Sequence, residues 1–590
     1  MNSAKPESGL VLAARYAVPF VLLAIPFWMS QVSAVVPDPY LDEAFHVPQA
    51  QAYWHHKWTH WDPKLTTPPA LYLWSYVICA ITLFLRGSPT ELSPEALRAT
   101  NVGAAAVFLP WRLQTLLDTI RKERNNRPSG AWLSHTVLNI CLFPPLFFFS
   151  GLYYTDVLAL LVVIEAYNWD LKRTGPLTPV PSRTVIFFIV SLVALVTRTL
   201  GRNAKPCRST KFADIFRGGL ENEVYDPLVS EASIEDYFKT AISLGAAVLG
   251  NLGQIIVSLM PYLAILAAFG GFVLWNNGVV LGHKEFHTAG IHLSQMLYIW
   301  PYFVFFSWPL LAVPVANLVL PRSMLPKSLD YGFPDKQKGL PRILTVVAVV
   351  PLMLIIVHFN TIVHPFTLAD NRHYVFYVFR ILRSHPAIIY AATAVYFFCS
   401  WAVISAFGFS TASSSPQLIS VPRTEQSPAG KGVKEASKLK KEAKSTASSK
   451  KPDQAPKPQP MSREAFEKIK EALSQRQRQQ AGTSRVSFVL VWLAATALSL
   501  ITAPLVEPRY FIIPWVIWRL HLPRQPTPQI YREKRSSNEK ASLDAKIATN
   551  LPLFLESFWF LVINVVTGYV FLYKGFEWPQ EPGKTQRFMW

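Results

Sequence analysis

Residues 342–363 read Arg-Ile-Leu-Thr-Val-Val-Ala-Val-Val-Pro-Leu-Met-Leu-Ile-Ile-Val-His-Phe-Asn-Thr-Ile-Val. At ~1.5 Å per residue, such a helix covers the ~30 Å hydrocarbon core of a bilayer, and its only full charge stands at one end. Runs of similar character recur at 11–36, 131–150, 184–200, 256–275, 296–320, 386–409, 486–504 and 552–573, with weaker ones at 100–120, 155–169, 240–255 and 509–520. Hydrophobic residues make up 51% of the chain and charged residues only 16%, which excludes an ordinary soluble globule. Apolar runs this long cannot be barrel strands, so an all-α, multispanning membrane protein of about ten to thirteen helices is predicted. The first run lacks a small-residue cleavage site and reads as a signal anchor, which implies entry to the secretory pathway.

The formal charge of +20 raises the possibility of a nucleic-acid partner, and its distribution argues against one. Residues 411–485 hold sixteen Lys or Arg and seven Asp or Glu among Ser, Pro, Gln and Ala. Such a segment buries too little apolar surface to fold, so it reads as a disordered basic linker, with 462–480 its one helical stretch. Basic segments at 121–127, 322–342, 411–485 and 519–546 are expected on the cytosolic side. The loops around Asp42, His283, Asp370 and Glu507, and the C-terminal tail, then share the lumen. The predicted organisation is a first span (1–36), a luminal loop (37–98), a helical bundle (99–410), the linker (411–485) and a C-terminal part (486–590). Leu71–Leu85 is short for a span and reads as a helix in the luminal interface, with Trp74 and Tyr76 suited to that depth. Arg198 and His283 both belong in the lumen, which requires an even number of crossings between them. Either Ala241–Ile255 is a poor extra span or residues are missing after Arg198.

Within 37–69 the chain packs the acids Asp42 and Glu43 together with four histidines and three tryptophans. Adjacent carboxylates beside a bilayer are costly unless they meet water, a cation or a substrate. With His46, Trp61 and Asp62 they would share one face with Tyr154, Asp156, Arg198, Lys284, His364, Asp370, Asn371, Arg372, His373, Tyr374, Glu507 and Arg509. Cations and carboxylates beside aromatic rings suit a substrate that bears both phosphate and sugar. Each group also has a plainer reading: a solvated loop for Asp42 and Glu43, a helix cap for 368–374, a mutual ion pair for Glu507 and Arg509, and interface anchors for the tryptophans. His283, Glu285 and His287 mimic a metal pair but lack a third ligand, and Cys79, Cys141, Cys207 and Cys399 show no motif spacing. No metal, cofactor or disulfide is expected.

Four stretches go further than chemistry. They are Leu41–Gln51 with Trp61–Pro69; Asn277–Lys284; His364–Tyr374; and Glu507–Pro514. Together they resemble the endoplasmic-reticulum α-1,2-glucosyltransferase family that uses dolichyl-phosphoglucose to complete the lipid-linked N-glycan precursor. The resemblance implies a GT-C type fold in the endoplasmic-reticulum membrane with a luminal active site. It implies a dolichyl β-D-glucosyl phosphate donor and a diglucosylated Man9GlcNAc2 diphosphodolichol acceptor, joined with inversion, and an essential acid in the first luminal loop, here Asp42 or Glu43. The chain departs from the family where Thr197-Arg198-Thr199-Leu200 stands in place of an Arg-Gln-Thr-Asn run, and where His283 replaces the usual Asp. Asp42 is expected to be the general base, with Glu43 orienting it or holding the acceptor. Lys284, Arg372 and His373, with Arg509 behind them, would receive the leaving phosphate. The rival classes are a lipid or sugar transporter or flippase, and a regulatory subunit; within the enzymes, an α-1,3-glucosyltransferase using the same donor is the alternative.

Overall fold

The computed structural model describes residues 22–87, 92–123, 133–172, 205–207, 209–278, 281, 290–331, 340–361, 365–409, 483–503, 505–524 and 539–590. Arg198, Lys284, His283, His364, the run 184–200 and the linker as far as residue 482 lie outside the described residues. The chain divides into two units, 1–411 with 481–590, and 412–480; the fold and site belong to the first.

The apolar runs fold as helices, because in lipid each backbone N–H and C=O must be satisfied within its own segment. The protein is an all-α multispanning membrane protein. Among the described residues four helices are long and apolar enough to cross a bilayer: Gln295–Val319, Ile343–Asn360, Pro386–Gly408 and Ile547–Tyr573. Shorter apolar helices are Ala70–Leu85, Leu263–Asn276 and Val486–Leu500. The weaker expected runs are helical too, in Pro94–Gly103 continued by a π turn into Leu109–Glu123, in Asp156–Lys172, in Ile234–Gly250 and in Ile512–His521.

Several runs are interrupted, so single long helices account for only part of the ten to thirteen expected spans. The run 131–150 splits into His135–Cys141 and Pro144–Ser150. Pro144 and Pro145 supply no N–H to continue the earlier helix, and the Pro144 ring holds Phe143 out of helical geometry, so a new helix starts at Pro144. The non-helical Leu142 and Phe143 are wholly buried in protein, where such backbone is tolerated at membrane depth. Ala241–Ile255 also fails to form one continuous element. One helix ends at Gly250 and the next begins at Leu252, with the Asn251 amide exchanging hydrogen bonds of 2.7 and 3.1 Å with Asn222. A Cβ on Gly250 would stand 2.5 Å from the Leu220 carbonyl, so only glycine fits at this crossing.

Phe143 stacks on Trp515 at 3.8 Å and 5°, with the edges of Phe306 and Phe560 against it. Trp515 donates its indole N–H to Ser307 at 2.9 Å. Lipid removes most of the hydrophobic drive between helices, so dispersion and directed contacts of this kind hold the bundle together. Trp28 of helix Ala24–Val35 lies over Gly151 and donates to the Phe148 carbonyl at 2.9 Å. A Cβ on Gly151 would come within 2.5 Å of that indole. This contact fixes where the first helix delivers the loop that follows it.

The two ends of the bundle differ in chemistry. At one, Arg121 lies in the electrostatic field of Arg519 and Arg524, and Arg519 holds Glu556 in a buried pair at 2.8 and 2.9 Å that Asn139 also joins. Helices Pro94–Glu123, Ile512–His521 and Glu539–Tyr573 carry the chain from there to the other end, where the motif-bearing loops meet. Helix Ala70–Arg86 packs Leu71, Tyr72 and Ser75 inward and exposes Leu73, Val77, Ile81, Phe84 and Leu85. The all-α expectation misses two small sheets, the parallel pair Lys205–Pro206 with Glu223–Val224 and the antiparallel hairpin Phe576–Trp578 with Glu581–Gln586.

Candidate active site

The two adjacent acids have opposite environments. Glu43 opens helix Glu43–Trp54 and has no exposed surface. Its Oε1 accepts from Arg98 Nε at 2.9 Å and from the Tyr153 backbone N–H at 2.6 Å; Oε2 accepts from Arg98 Nη2 at 2.6 Å and from the Tyr40 N–H at 3.0 Å. Arg98 also donates to the carbonyls of Val36 and Asp38, and Asn101, one turn on, donates to those of Leu152 and Tyr154. A carboxylate so enclosed cannot meet an acceptor hydroxyl, so Glu43 is corrected from a candidate catalytic group to the staple that fastens loop 36–43 to loop 151–154.

Asp42 faces the other way. Leu41 before it sits at φ 51°, left-handed geometry that a leucine adopts only when its surroundings impose it. That turn leaves Glu43 pointing inward and Asp42 with 43% of its side chain open, in a recess walled by protein. The Asp42 N–H donates to the Tyr154 hydroxyl at 3.2 Å, and Oδ2 accepts from Arg509 Nη1 at 2.9 Å. Desolvation by the walls pushes the Asp42 carboxyl up, and the Arg509 guanidinium, helped by His46 and His373, more than offsets it. Its value falls below that of an ordinary aspartate, and Asp42 is ionised at neutral pH.

Arg509 lies in the short turn Pro508–Phe511, which Tyr302 secures through the Pro508 carbonyl at 3.0 Å. Its Nε pairs with Glu507 and its planar group lies near the rings of Tyr154 and Tyr510. Nη2 has no partner among the described residues. Asp156 begins helix Asp156–Lys172 within the field of Asp42, Glu507 and Arg509, and its Oδ2 has no hydrogen-bond partner there. His46 is buried behind Asp42 with Nδ1 2.7 Å from the Tyr72 hydroxyl; burial, only partly offset by the Asp42 charge, keeps its pKa below the usual imidazole value. Trp61 donates to the Leu65 carbonyl, and Asp62 caps its own turn through the Lys64 N–H at 2.9 Å. Trp61 also meets the edge of Tyr72, so it and Asp62 belong to the wall of the loop.

The stretch 370–374 meets the same end of the bundle, and its cation is engaged. Arg372 holds Asp370 through Nε at 2.9 Å and Nη2 at 2.7 Å, donates through Nη1 to Gln586 at 2.9 Å, and lies 4.4 Å from the centre of the Trp578 ring. Arg372, expected to receive the leaving phosphate, is thus already engaged by Asp370, Gln586 and Trp578. Asn371 accepts from the Trp578 indole at 2.9 Å. His373 Nδ1 is 3.0 Å from the Trp590 carbonyl, and the Tyr374 N–H donates to the Met589 carbonyl. Among the described residues no group of three His, Cys, Asp or Glu side chains could hold a metal ion.

Arg98, Asn101, Tyr40 and the segment 576–590 were missed by sequence reasoning. A lone Arg inside the otherwise uncharged helical stretch Leu97–Trp111 was the signal for Arg98; nothing in the sequence pointed to the C-terminal segment.

The family model described as the DIE2/ALG10 family matches residues 36–520. A protein of Aspergillus fumigatus is 63% identical over all of both chains, and one of Emericella nidulans 62% identical over all of both. A more distant one of Arabidopsis thaliana is 26% identical over 95% of this chain and 96% of its own. Each is named Dol-P-Glc:Glc(2)Man(9)GlcNAc(2)-PP-Dol alpha-1,2-glucosyltransferase. The first alignment spans 620 positions against the 590 residues here, so the relative carries about thirty residues that this chain lacks. No solved structure matches. Over residues 36–520, from the loop that bears Asp42 to the helix that follows Arg509, the chain belongs to the DIE2/ALG10 family.

Proposed function

We propose that this protein transfers glucose from dolichyl β-D-glucosyl phosphate to Glc2Man9GlcNAc2 diphosphodolichol, adding the terminal α-1,2-linked glucose with inversion. We place it in the endoplasmic-reticulum membrane with Asp42 in the lumen. The observation that carries the reading is the exposed Asp42 carboxylate, aimed by a left-handed Leu41 and held ionised by Arg509, in a chain 63% identical throughout to a named α-1,2-glucosyltransferase.

Inversion needs one in-line displacement. The acceptor 2-hydroxyl oxygen attacks C1, the C1–O bond to phosphate breaks, and its electron pair leaves with dolichyl phosphate. Asp42 takes the hydroxyl proton as the new bond forms. The phosphate is a good leaving group, so cations replace a general acid, and Arg509 offers Nη2 for this, with His373 also acting on Asp42. Lys284, outside the described residues, is the third candidate. Glu507 fixes the plane of the guanidinium, Tyr154 fixes the backbone of Asp42, and Asp156 is buried within the field of Arg509, Glu507 and Asp42.

Incubating purified protein with labelled dolichyl-phosphoglucose and the diglucosylated acceptor tests the assignment. An α-1,2-linked product supports it. An α-1,3 linkage transfers the reading to the related enzyme, and lipid movement without transfer makes the protein a flippase.

A further inference from the structure

We propose that the C-terminal segment Phe576–Trp590 is a clasp that positions the catalytic centre, with Tyr40 as the residue through which it sets Asp42. The proposal rests on the glucosyl transfer put forward above. The segment begins as the hairpin Phe576–Trp578 with Glu581–Gln586, bulged at Glu577–Trp578, and then runs as a single strap across the end of the bundle where Asp42 lies.

One edge of the strap holds the 370–374 loop. The Met589 N–H donates to the Arg372 carbonyl at 2.9 Å, and the Tyr374 N–H returns to the Met589 carbonyl at 3.1 Å, so the two segments pair as parallel backbone. Trp578 closes over the Arg372 guanidinium. The other edge holds the first loop. The Tyr40 hydroxyl accepts the Arg587 N–H at 2.7 Å and donates to the Arg587 carbonyl at 2.8 Å, completing a two-bond ring with a single backbone unit. Arg587 is itself fixed, its Nη1 donating to the last carbonyls of helix Glu539–Tyr573 at Phe571 and Leu572.

Tyr40 passes this constraint on. Its carbonyl accepts from the Tyr154 hydroxyl, which accepts the Asp42 N–H, and its own N–H is bound by Glu43. The strap thus joins two loops that no sequence motif connects, and the strained turn at Leu41 lies between the joint and the acid. Burial pushes the Tyr40 phenol up to about 12, so it keeps its proton, and with it both bonds, through the neutral range. Tyr40 is a positioning residue. It reaches the reaction only through the geometry of Asp42, and a misplacement of 1 Å at a reacting group costs up to about 10²-fold in rate.

Tyr40→Phe removes one oxygen and keeps the ring against Phe571, 5.5 Å away. The expected result is a kcat lowered about tenfold or more, a donor KM within about twofold of the parent, and an unchanged melting temperature. Amide hydrogen exchange at Met589 and Tyr374, followed in detergent without substrate, is expected to quicken in the same variant. Parental kcat together with parental exchange overturns the clasp. A kcat loss that only tracks a lower melting temperature overturns the positioning role. If the unmodified protein transfers no glucose while Tyr40→Phe still quickens exchange, the glucosyltransferase reading has failed and the positioning claim falls with it, leaving only a structural strap. Trp578→Phe serves as the second variant: it loses the bond to Asn371, keeps a ring over Arg372, and is expected to quicken exchange at Met589 and Tyr374, and parental exchange at both overturns the clasp.

Discussion

Asp42 and Glu43 differ by one methylene and one position, and their replacements should fail in different ways. Asp42→Asn keeps the shape of the side chain but removes the proton acceptor and the anion facing Arg509, so turnover should fall by about 10²-fold or more, well beyond what any accompanying drop in melting temperature explains. Glu43→Gln leaves the Arg98 charge buried without its partner, which costs about 3–5 kcal/mol; yield and thermal stability in detergent should drop even where the surviving protein turns over. Equal loss of turnover at equal stability would remove the distinction. Arg509 sets the pH response of the same site. Because it holds the Asp42 pKa below the ordinary value, the Asp42–Arg509 pair contributes stability in full above about pH 4 and loses it as pH falls through the lowered value. Arg509→Gln leaves desolvation as the larger influence, so Asp42 should titrate upward. The acid limb of kcat/KM should move toward neutrality, and a limb that stays in place would deny Arg509 that role.

At the scale of elements, Gly151 shows how a helix contact governs the site. Gly151→Ala drives a methyl into the Trp28 indole, a clash of about 1–3 kcal/mol, one residue before the Leu152-Tyr153-Tyr154 stretch that binds Glu43 and Asp42. Lower melting temperature and lower turnover are expected together. Trp28→Phe, which frees space above Gly151, should recover part of both when combined with it, and strict additivity of the two losses would show that the contact is not shared. Such contacts explain what the sequence could and could not reveal. Long apolar runs are legible because membrane depth fixes their length, and the exposed acid of the first loop is legible because a carboxylate pair beside lipid demands a reason. The division of labour between Asp42 and Glu43 was hidden, since it depends on the backbone of Leu41 and on Arg98, 55 residues away from Glu43. The engagement of Arg372 was hidden for the same cause: its partners Trp578 and Gln586 lie more than two hundred residues along the chain. The break at Phe143 stood in plain view as Pro144-Pro145 within an apolar run, and the run's composition masked it.

For the whole molecule, residues 412–480 form a separate unit by contact, and the ends that lead into it are already joined. The Ser484 N–H donates to the Phe407 carbonyl at 3.3 Å, Val229 donates to the Ser484 carbonyl at 3.0 Å, and Val486 donates to the Pro227 carbonyl at 3.1 Å. Helices Pro386–Ser405 and Val486–Leu500 are thereby held by the 227–229 turn and by each other at the point where the linker leaves and returns. A connection of this length carries a loop-closure entropy, a cost that grows as (3/2)RT ln n and amounts to ~0.6 kcal/mol per doubling. Shortening it should therefore cost nothing and gain slightly. Within the described residues Asp42 and its partners lie at the opposite end of the bundle from Arg519 and Glu556, and Ser484 lies within reach of the His521 carbonyl near the latter pair. Replacing 412–480 by about eight Gly and Ser residues should leave kcat and donor KM within about twofold of the parent and keep or slightly raise the melting temperature. If turnover collapses while the helices remain folded, the basic segment takes part in presenting one of the lipid-linked substrates, and the site described here is incomplete without it.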